Sequence, residues 1–232
     1  MNRNGVNHKF QQALKRAIDV AVSVSGLVLL GPVMGCVALA IKLDSEGSVV
    51  FRHRRIGQDG YPFDLCKFRT MVCGGDDRDY LRYLHQLIES ERDGNGNGLP
   101  YVKMNGDSRV THVGRILRCY YLDEFPQLWN IVRGEMSLVG PRPHVQFEVE
   151  YYTPEQLRRL SVKPGLTGLW QVLGKADCTF SQLIQQDLDY IDNWSLWRDI
   201  QIIFKTFTVM LRGGEEFWAR MTKHLPGKAQ AG

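Results

Sequence analysis

Two adjacent carboxylates, Asp123 and Glu124, stand in the run Tyr121-Leu122-Asp123-Glu124-Phe125-Pro126-Gln127-Leu128-Trp129-Asn130, just ahead of a proline and an apolar helical pattern. Acidic residues suit the first turn of a helix, and proline there gives up only a backbone donor that would be unpaired anyway. An acidic helix start is common, so the pair alone also fits a purely local capping role. Its neighbours add chemistry. Arg118 precedes the pair, Arg133 follows it, and Arg142 sits between Pro141 and Pro143 in a stiff segment after Gly140. A guanidinium fork suits phosphate oxygens, and a helix start offers further donors to an anion. Carboxylates beside several phosphate-seeking cations make sense when a divalent metal and a diphosphate lie between them. Each arginine taken singly also fits an ordinary surface position.

Around this centre the chain must supply an anchor and a scaffold. From Val20 to Ile41 no side chain is charged, about 22 residues, enough for a straight helix to cross a bilayer core. Lys9, Lys15 and Arg16 precede this stretch, and Lys42, Arg52, His53, Arg54 and Arg55 follow it. Basic residues favour the cytoplasmic side, and here both flanks are basic. Gly31-Pro32 lies near the middle, where proline removes a donor and clashes with the preceding turn. Both features favour a kinked helix that enters the membrane and returns to the same face. A single crossing, an export signal and a buried core helix are the competing readings.

Val49 to Ile56 and Phe63 to Thr70 alternate in polarity and are joined by Asp59-Gly60-Tyr61-Pro62, which predicts a strand hairpin placing Lys67 and Arg69 on one face with Phe63 and Leu65. Asp76 to Asp93 reads as an amphipathic surface helix ended by the loop Gly94 to Gly98. Leu183, Leu188 and Ile191 predict another helix. Trp197, Ile200, Phe204, Phe207 and Leu211 form an apolar stripe that fits the core first and a membrane interface second. The residues from Lys223 onward read as a disordered tail. The expected division is a tail over 1–14, a membrane helix over 15–47, a catalytic domain over 48–214 and a C-terminal tail over 215–232, partly disordered.

With 232 residues the chain can bury one sizeable core. Its net charge of +4 fits an anionic membrane, a phosphorylated substrate or nucleic acid about equally. The Arg52–Arg55 cluster directly follows the membrane segment, which makes phospholipid head groups its expected partners and argues against nucleic acid. Five scattered cysteines at no metal-binding spacing read as reduced thiols.

Four ordered motifs carry a resemblance. Lys67-Phe68-Arg69-Thr70-Met71, the Leu122 to Asn130 segment, Met136-Ser137-Leu138-Val139-Gly140-Pro141-Arg142-Pro143 and Val162 to Gly168 resemble the bacterial sugar transferase family, the monotopic polyprenyl-phosphate phosphoglycosyl transferases. The likeness runs from about Lys15 to Gly213. It implies a helix-dominated α/β membrane-associated domain on the cytoplasmic face of the bacterial inner membrane, with a re-entrant helix kinked at Gly31 and Pro32 and amphipathic interfacial helices. It further implies dependence on Mg2+, a nucleoside diphosphate sugar (a UDP-sugar) as donor and polyprenyl (undecaprenyl) phosphate as acceptor. By the same resemblance, Asp123 is the nucleophile and also faces the metal, while Glu124 is a base or a metal organiser. Arg118 and Arg142 match basic positions that organise the pair and bind phosphate, and Lys67, Arg69 and Gln171 are expected at the substrate by motif membership. Two departures stand out: family members often carry Ser-Pro where this chain has Gly31-Pro32, and proline where it has Glu46.

The activity so implied starts lipid-linked glycan assembly, of a capsule, exopolysaccharide or O-antigen. The rival reading is a non-catalytic, membrane-bound interaction protein of the glycan assembly machinery, which would have no use for the carboxylate pair and its arginines. A homodimer is the commonest closed assembly and the default expectation.

Overall fold

In the computed structural model, residues 3–72, 109–173 and 179–223 are described, with side chains over 9–72, 109–173 and 179–211. The amphipathic helix expected over 76–93, the glycine loop after it, Cys73, Cys178 and residues 224–232 lie outside these segments.

Helix α1 covers Arg3–Asp44. Among the described residues it is the one helix long and apolar enough to cross a membrane. Its packing follows helical spacing: Asp19, Ser23, Leu27, Leu30, Met34, Val37 and Ile41 recur every three or four residues and face the rest of the domain. The outer face, with Val22, Val28, Leu29, Val33, Leu39 and Leu43, is apolar and exposed. The helix continues through Gly31 and Pro32, so the structure shows no break at the expected kink. Proline removes one backbone bond, and packing of the inner stripe on either side keeps both halves against the domain.

The expected hairpin forms as β1 (Val50–Ile56) and β2 (Pro62–Phe68), antiparallel, with Val50 opposite Phe68 and Ile56 opposite Pro62. Asp59 (φ 55°) and Gly60 (φ 80°) turn the chain between them. Helix α2 (His112–Cys119) is capped by Thr111, whose hydroxyl accepts the Gly114 N–H at 3.0 Å. Gly114 lets α2 approach the end of β2, since a Cβ there would lie 2.2 Å from the Thr70 carbonyl oxygen. A 3₁₀ turn, Leu122–Glu124, then leads into α3 (Gln127–Arg133).

Beyond Gly134 come β3 (Ser137–Val139), α4 (Gln146–Glu150), a 3₁₀ segment (Gln156–Ser161), β4 (Gly165–Thr167) and α5 (Leu169–Leu173). The chain continues as α6 (Phe180–Asp192) and α7 (Leu196–Lys223). α7 thus runs past residue 214, the expected end of the catalytic domain. β3 and β4 form a two-stranded parallel pair, Ser137 opposite Gly165 and Val139 opposite Thr167, that the sequence pattern did not predict. The described chain is a helix-dominated α/β domain.

Phe63, Leu65, Leu128, Ile131, Met136, Leu138, Val139, Tyr190 and Ile202 form the central core, with Leu27 and Leu30 of α1 against it. Ile41 of α1 joins Phe68 and Leu117 in a second cluster. Polar contacts fix the basic end of α1: the Lys15 ammonium meets Asp199 at 2.6 Å and the Val139 carbonyl at 3.0 Å, and Asp19 accepts the Leu138 N–H at 3.0 Å. On α7 the stripe Trp197, Ile200, Phe204, Phe207 and Leu211 is exposed, and Ile202 is the buried face. The first expectation for that stripe, core packing, is therefore corrected; Asp199 and Ile202 fill the inward positions instead.

A second, polar core ties the C-terminal half together. Arg159 donates to Asp187 at 2.7 Å, to the Arg142 carbonyl at 2.7 Å and to the Tyr152 hydroxyl, and Tyr152 shares a 2.5 Å hydrogen bond with His144. Breaking a buried ion pair by removing one partner costs about 3–5 kcal/mol, because the other charge stays buried. Asp187→Ala should lower the unfolding free energy of the detergent-solubilised protein by about that amount; a loss near that of an exposed pair would contradict this role.

Burial, aided by Arg159, Arg142 and Arg55, holds the His144 pKa well below its usual value near 6.5. His144 is thus neutral when folded, while the unfolded chain takes a proton as pH drops through about 6.5. Its contribution to stability is full above that pH and is lost below it, by about 1.4 kcal/mol per unit. The stability difference between wild type and His144→Gln should therefore shift against wild type on going from pH 7.5 to 5.5, measured by denaturant unfolding. A pH-independent difference would show that His144 does not titrate between the two states.

Candidate active site

The segment Gly140 to Val145 must run beside two sheets and a helix, and its two prolines carry no N–H. The four carbonyls from Pro141 to His144 are each engaged. Pro141 accepts from Gly165 N–H at 2.8 Å, Arg142 from Arg159, Pro143 from Arg55 at 3.4 Å and His144 from Ile56 N–H at 2.9 Å. Four consecutive carbonyls are thus held by β4, the 3₁₀ segment and β1, which fixes the backbone from which Arg142 projects.

Across from it stands the carboxylate pair. Tyr121 adopts a left-handed conformation (φ 56°), one that costs a non-glycine residue about 1–3 kcal/mol. It turns the chain so that Asp123 and Glu124 lie in the 3₁₀ turn ahead of α3, rather than inside the first turn of that helix. Both are buried, 5% and 7% exposed. Lys67 of β2 donates to Glu124 at 3.0 Å. Asn130 holds β2 in place, accepting the Cys66 N–H at 2.9 Å and donating to the Asp64 carbonyl at 2.8 Å.

A narrow cleft opens between these elements, lined by Arg55, Lys67, Glu124, Gln127, Arg142 and Gln171 among others. Four residues expected at the site, Lys67, Glu124, Arg142 and Gln171, meet here. Asp123 is adjacent in the chain and does not line the cleft. Arg118 reaches the Thr70 hydroxyl at 2.8 Å. Arg69 lies elsewhere: its guanidinium donates to the Ile41 and Ser45 carbonyls at 3.3 and 2.6 Å, closing the C-terminal end of α1. Gly31 and Pro32 lie on α1, away from the cleft lining.

Two polar residues of the lining, Gln127 and Arg55, are not among the site residues expected from the sequence. Gln127 sits inside the dyad motif and is 3% exposed. Arg55 was grouped with a lipid-facing cluster, yet it is buried, while Arg52 and Arg54 of the same strand are exposed. Arg55 lies at the end of β1 that bonds to the Pro143–His144 segment, a placement that strand alternation alone does not give. The cleft lining sets three cations against one carboxylate, which suits an anion of more than one charge. Among the described residues no three His, Cys, Asp or Glu side chains cluster as a metal cage. Mg2+ commonly takes only one or two carboxylates together with substrate phosphates and waters, a donor set that Asp123 and Glu124 fit.

The family model for bacterial sugar transferases matches residues 10–213. The exopolysaccharide production protein ExoY of Sinorhizobium fredii is 42% identical over 192 residues, 83% of each chain. The UDP-glucose:undecaprenyl-phosphate glucose-1-phosphate transferase of Caulobacter vibrioides is 42% identical over 205 residues, 85% of this chain and 69% of the relative. The undecaprenyl-phosphate galactose phosphotransferase of Salmonella typhimurium is 37% identical over 211 residues, 90% of this chain and 43% of that longer protein. With the family match spanning nearly all of its length, the chain belongs to the bacterial sugar transferase family.

Proposed function

We propose that the protein transfers a sugar-1-phosphate from a nucleoside diphosphate sugar, a UDP-sugar, to undecaprenyl phosphate, starting exopolysaccharide, capsule or O-antigen assembly. The observation that carries this reading is the buried Asp123–Glu124 pair set beside a cleft walled by Arg55, Lys67 and Arg142. The relatives named for UDP-glucose and undecaprenyl phosphate support the choice of donor and acceptor.

In this mechanism a carboxylate oxygen of Asp123 attacks the phosphorus that bears the sugar. The bond from that phosphorus to the bridging oxygen breaks, and nucleoside monophosphate leaves with the electron pair. An oxygen of undecaprenyl phosphate then attacks the same phosphorus, restores the Asp123 carboxylate and leaves the sugar on a lipid diphosphate. Glu124, held by Lys67, takes the proton of the incoming lipid phosphate and returns it to water. Arg142, on its immobilised backbone, meets phosphate oxygens. Mg2+, held by Asp123 and the donor, would neutralise charge on the diphosphate. Two displacements at one phosphorus let a soluble donor and a membrane-bound acceptor use the site in turn.

We place the domain on the cytoplasmic face of the inner membrane, with the exposed apolar face of α1 set into the bilayer and both ends of the helix held on that one side. In support, Lys15, Arg16 and Asp19 near one end and Asp44 at the other all bond to the same domain. Arg16 reaches the Ile131 carbonyl at 2.6 Å and Asp44 accepts the Val113 N–H at 3.0 Å. A straight crossing would pull one end off the domain and expose buried ion partners to lipid. The exposed stripe of α7 would lie in the interface beside it.

Nucleoside monophosphate release from UDP-sugars should require Asp123, with Asp123→Asn slower by about 1,000-fold or more. A radiolabelled sugar phosphate should remain on denatured wild-type protein and not on this variant. Release without dependence on Asp123 would overturn the covalent route, and no release from any donor would favour the non-catalytic reading. In a cysteine-free background, single cysteines at Gln11 and Glu46 should both resist an impermeant thiol reagent in intact spheroplasts and both react after lysis. Labelling of either one in intact spheroplasts would establish a crossing helix instead.

A further inference from the structure

Arg55 is 7% exposed and lines the cleft beside Arg142. A guanidinium carries five N–H donors. Two of the five are engaged, and both bonds are long: 3.4 Å to the Pro143 carbonyl and 3.2 Å to His53 Nδ1. Its Nε–H is buried with no hydrogen-bond partner among the described residues. Arg159, packed nearby on the same Pro141–His144 segment, shows the contrast: it engages Asp187, Tyr152 and the Arg142 carbonyl with all three of its nitrogens. The fold satisfies a structural arginine fully and leaves this one with donors to spare.

The carboxylate near Arg55 does not fill the gap. Glu148 lies 3.8 Å from Nη1, beyond hydrogen-bond range, and its Oε2 already accepts the Val145 N–H at 2.8 Å. Glu148 thus compensates the charge of Arg55 without satisfying its donors, and a buried N–H without an acceptor is unfavourable, which suits a site built for an anion that arrives later. Gln171 adds a second signal in the same cleft, since its buried Oε1 also lacks a partner among the described residues.

Resting on the transferase reading above, we propose that Arg55 is a phosphate-binding residue, donating to non-bridging oxygens of the donor's diphosphate alongside Arg142. The Arg55 contact to the Pro143 carbonyl and the Ile56 contact to the His144 carbonyl tie β1 to the segment that carries Arg142. The two guanidinium groups are thereby held at a fixed separation, as a diphosphate clamp requires.

The test is equilibrium binding of uridine 5′-diphosphate and of inorganic pyrophosphate, with magnesium, to the full-length protein in nanodiscs, read by calorimetry. Arg55→Gln should weaken both by about 10-fold to 100-fold, and Arg55→Lys should recover only a fraction of that loss, since an ammonium lacks the fork. The double variant Arg55→Gln, Glu148→Gln removes the buried counter-charge as well. It should regain the thermal stability lost in the single variant and keep the weak binding. Recovery of affinity in the double variant, or unchanged affinity in Arg55→Gln, would overturn the proposal and leave Arg55 as a counter-ion for Glu148. Should wild type bind these probes and release no nucleoside monophosphate, the transferase reading fails while Arg55 is still judged by its effect on binding. Wild type that binds neither probe would sink the Arg55 assignment itself.

Discussion

The geometry of the cleft depends on one constraint: a proline-rich segment with few donors of its own must have its carbonyls satisfied from outside. Pro141, Arg142, Pro143 and His144 each give a carbonyl to a different donor, drawn from β4, the segment after α4, and β1. An unpaired buried carbonyl would be strongly destabilising, so these bonds are obligatory and hold the backbone of Arg142 still. Through the same bonds the hairpin, the parallel pair and the polar core around Arg159 become one body. Lys67 on the hairpin and Arg142 on the segment are therefore registered to each other before any substrate arrives.

Electrostatics follow from that registration. Glu124 is matched by Lys67, and the buried Arg159 by Asp187, so their charges are compensated inside the fold. Burial raises the Asp187 carboxyl to about 6 against the pull of Arg159, a sign of how dry this region is. His144, pressed between three arginines, responds the other way and stays neutral. The polar core thus carries no surplus positive charge from histidine, and the excess cations are those at the cleft.

Much of this was legible in the sequence. Alternation gave the hairpin to within two residues, and helical spacing gave α6 and the apolar stripe of α7. The carboxylate pair, Lys67, Arg142 and Gln171 were found through motifs, and four of the expected site residues meet at the cleft. Other features could not be read this way. β3 and β4 are three residues each, too short for a period, and they pair through Gly140 and Gly165, where a Cβ on Gly165 would lie 2.1 Å from the Gly140 nitrogen. Arg69 shares the Lys-Phe-Arg motif with Lys67, yet it lies past the end of β2 and turns to the helix end instead. The fate of the α7 stripe turned on which face packs inward, which periodicity alone does not decide.

Removing helix α1 is the obvious route to a soluble domain. Yet α1 supplies Leu27 and Leu30 to the central core and Ile41 to a second cluster, and its Arg16 closes the carbonyl end of α3, the helix that follows the dyad. Cutting it away would open both cores and uncap the element next to the reactive carboxylates. For this chain the lipid-facing segment is an internal structural wall as much as an anchor, and a working domain has to be purified together with its greasy surface.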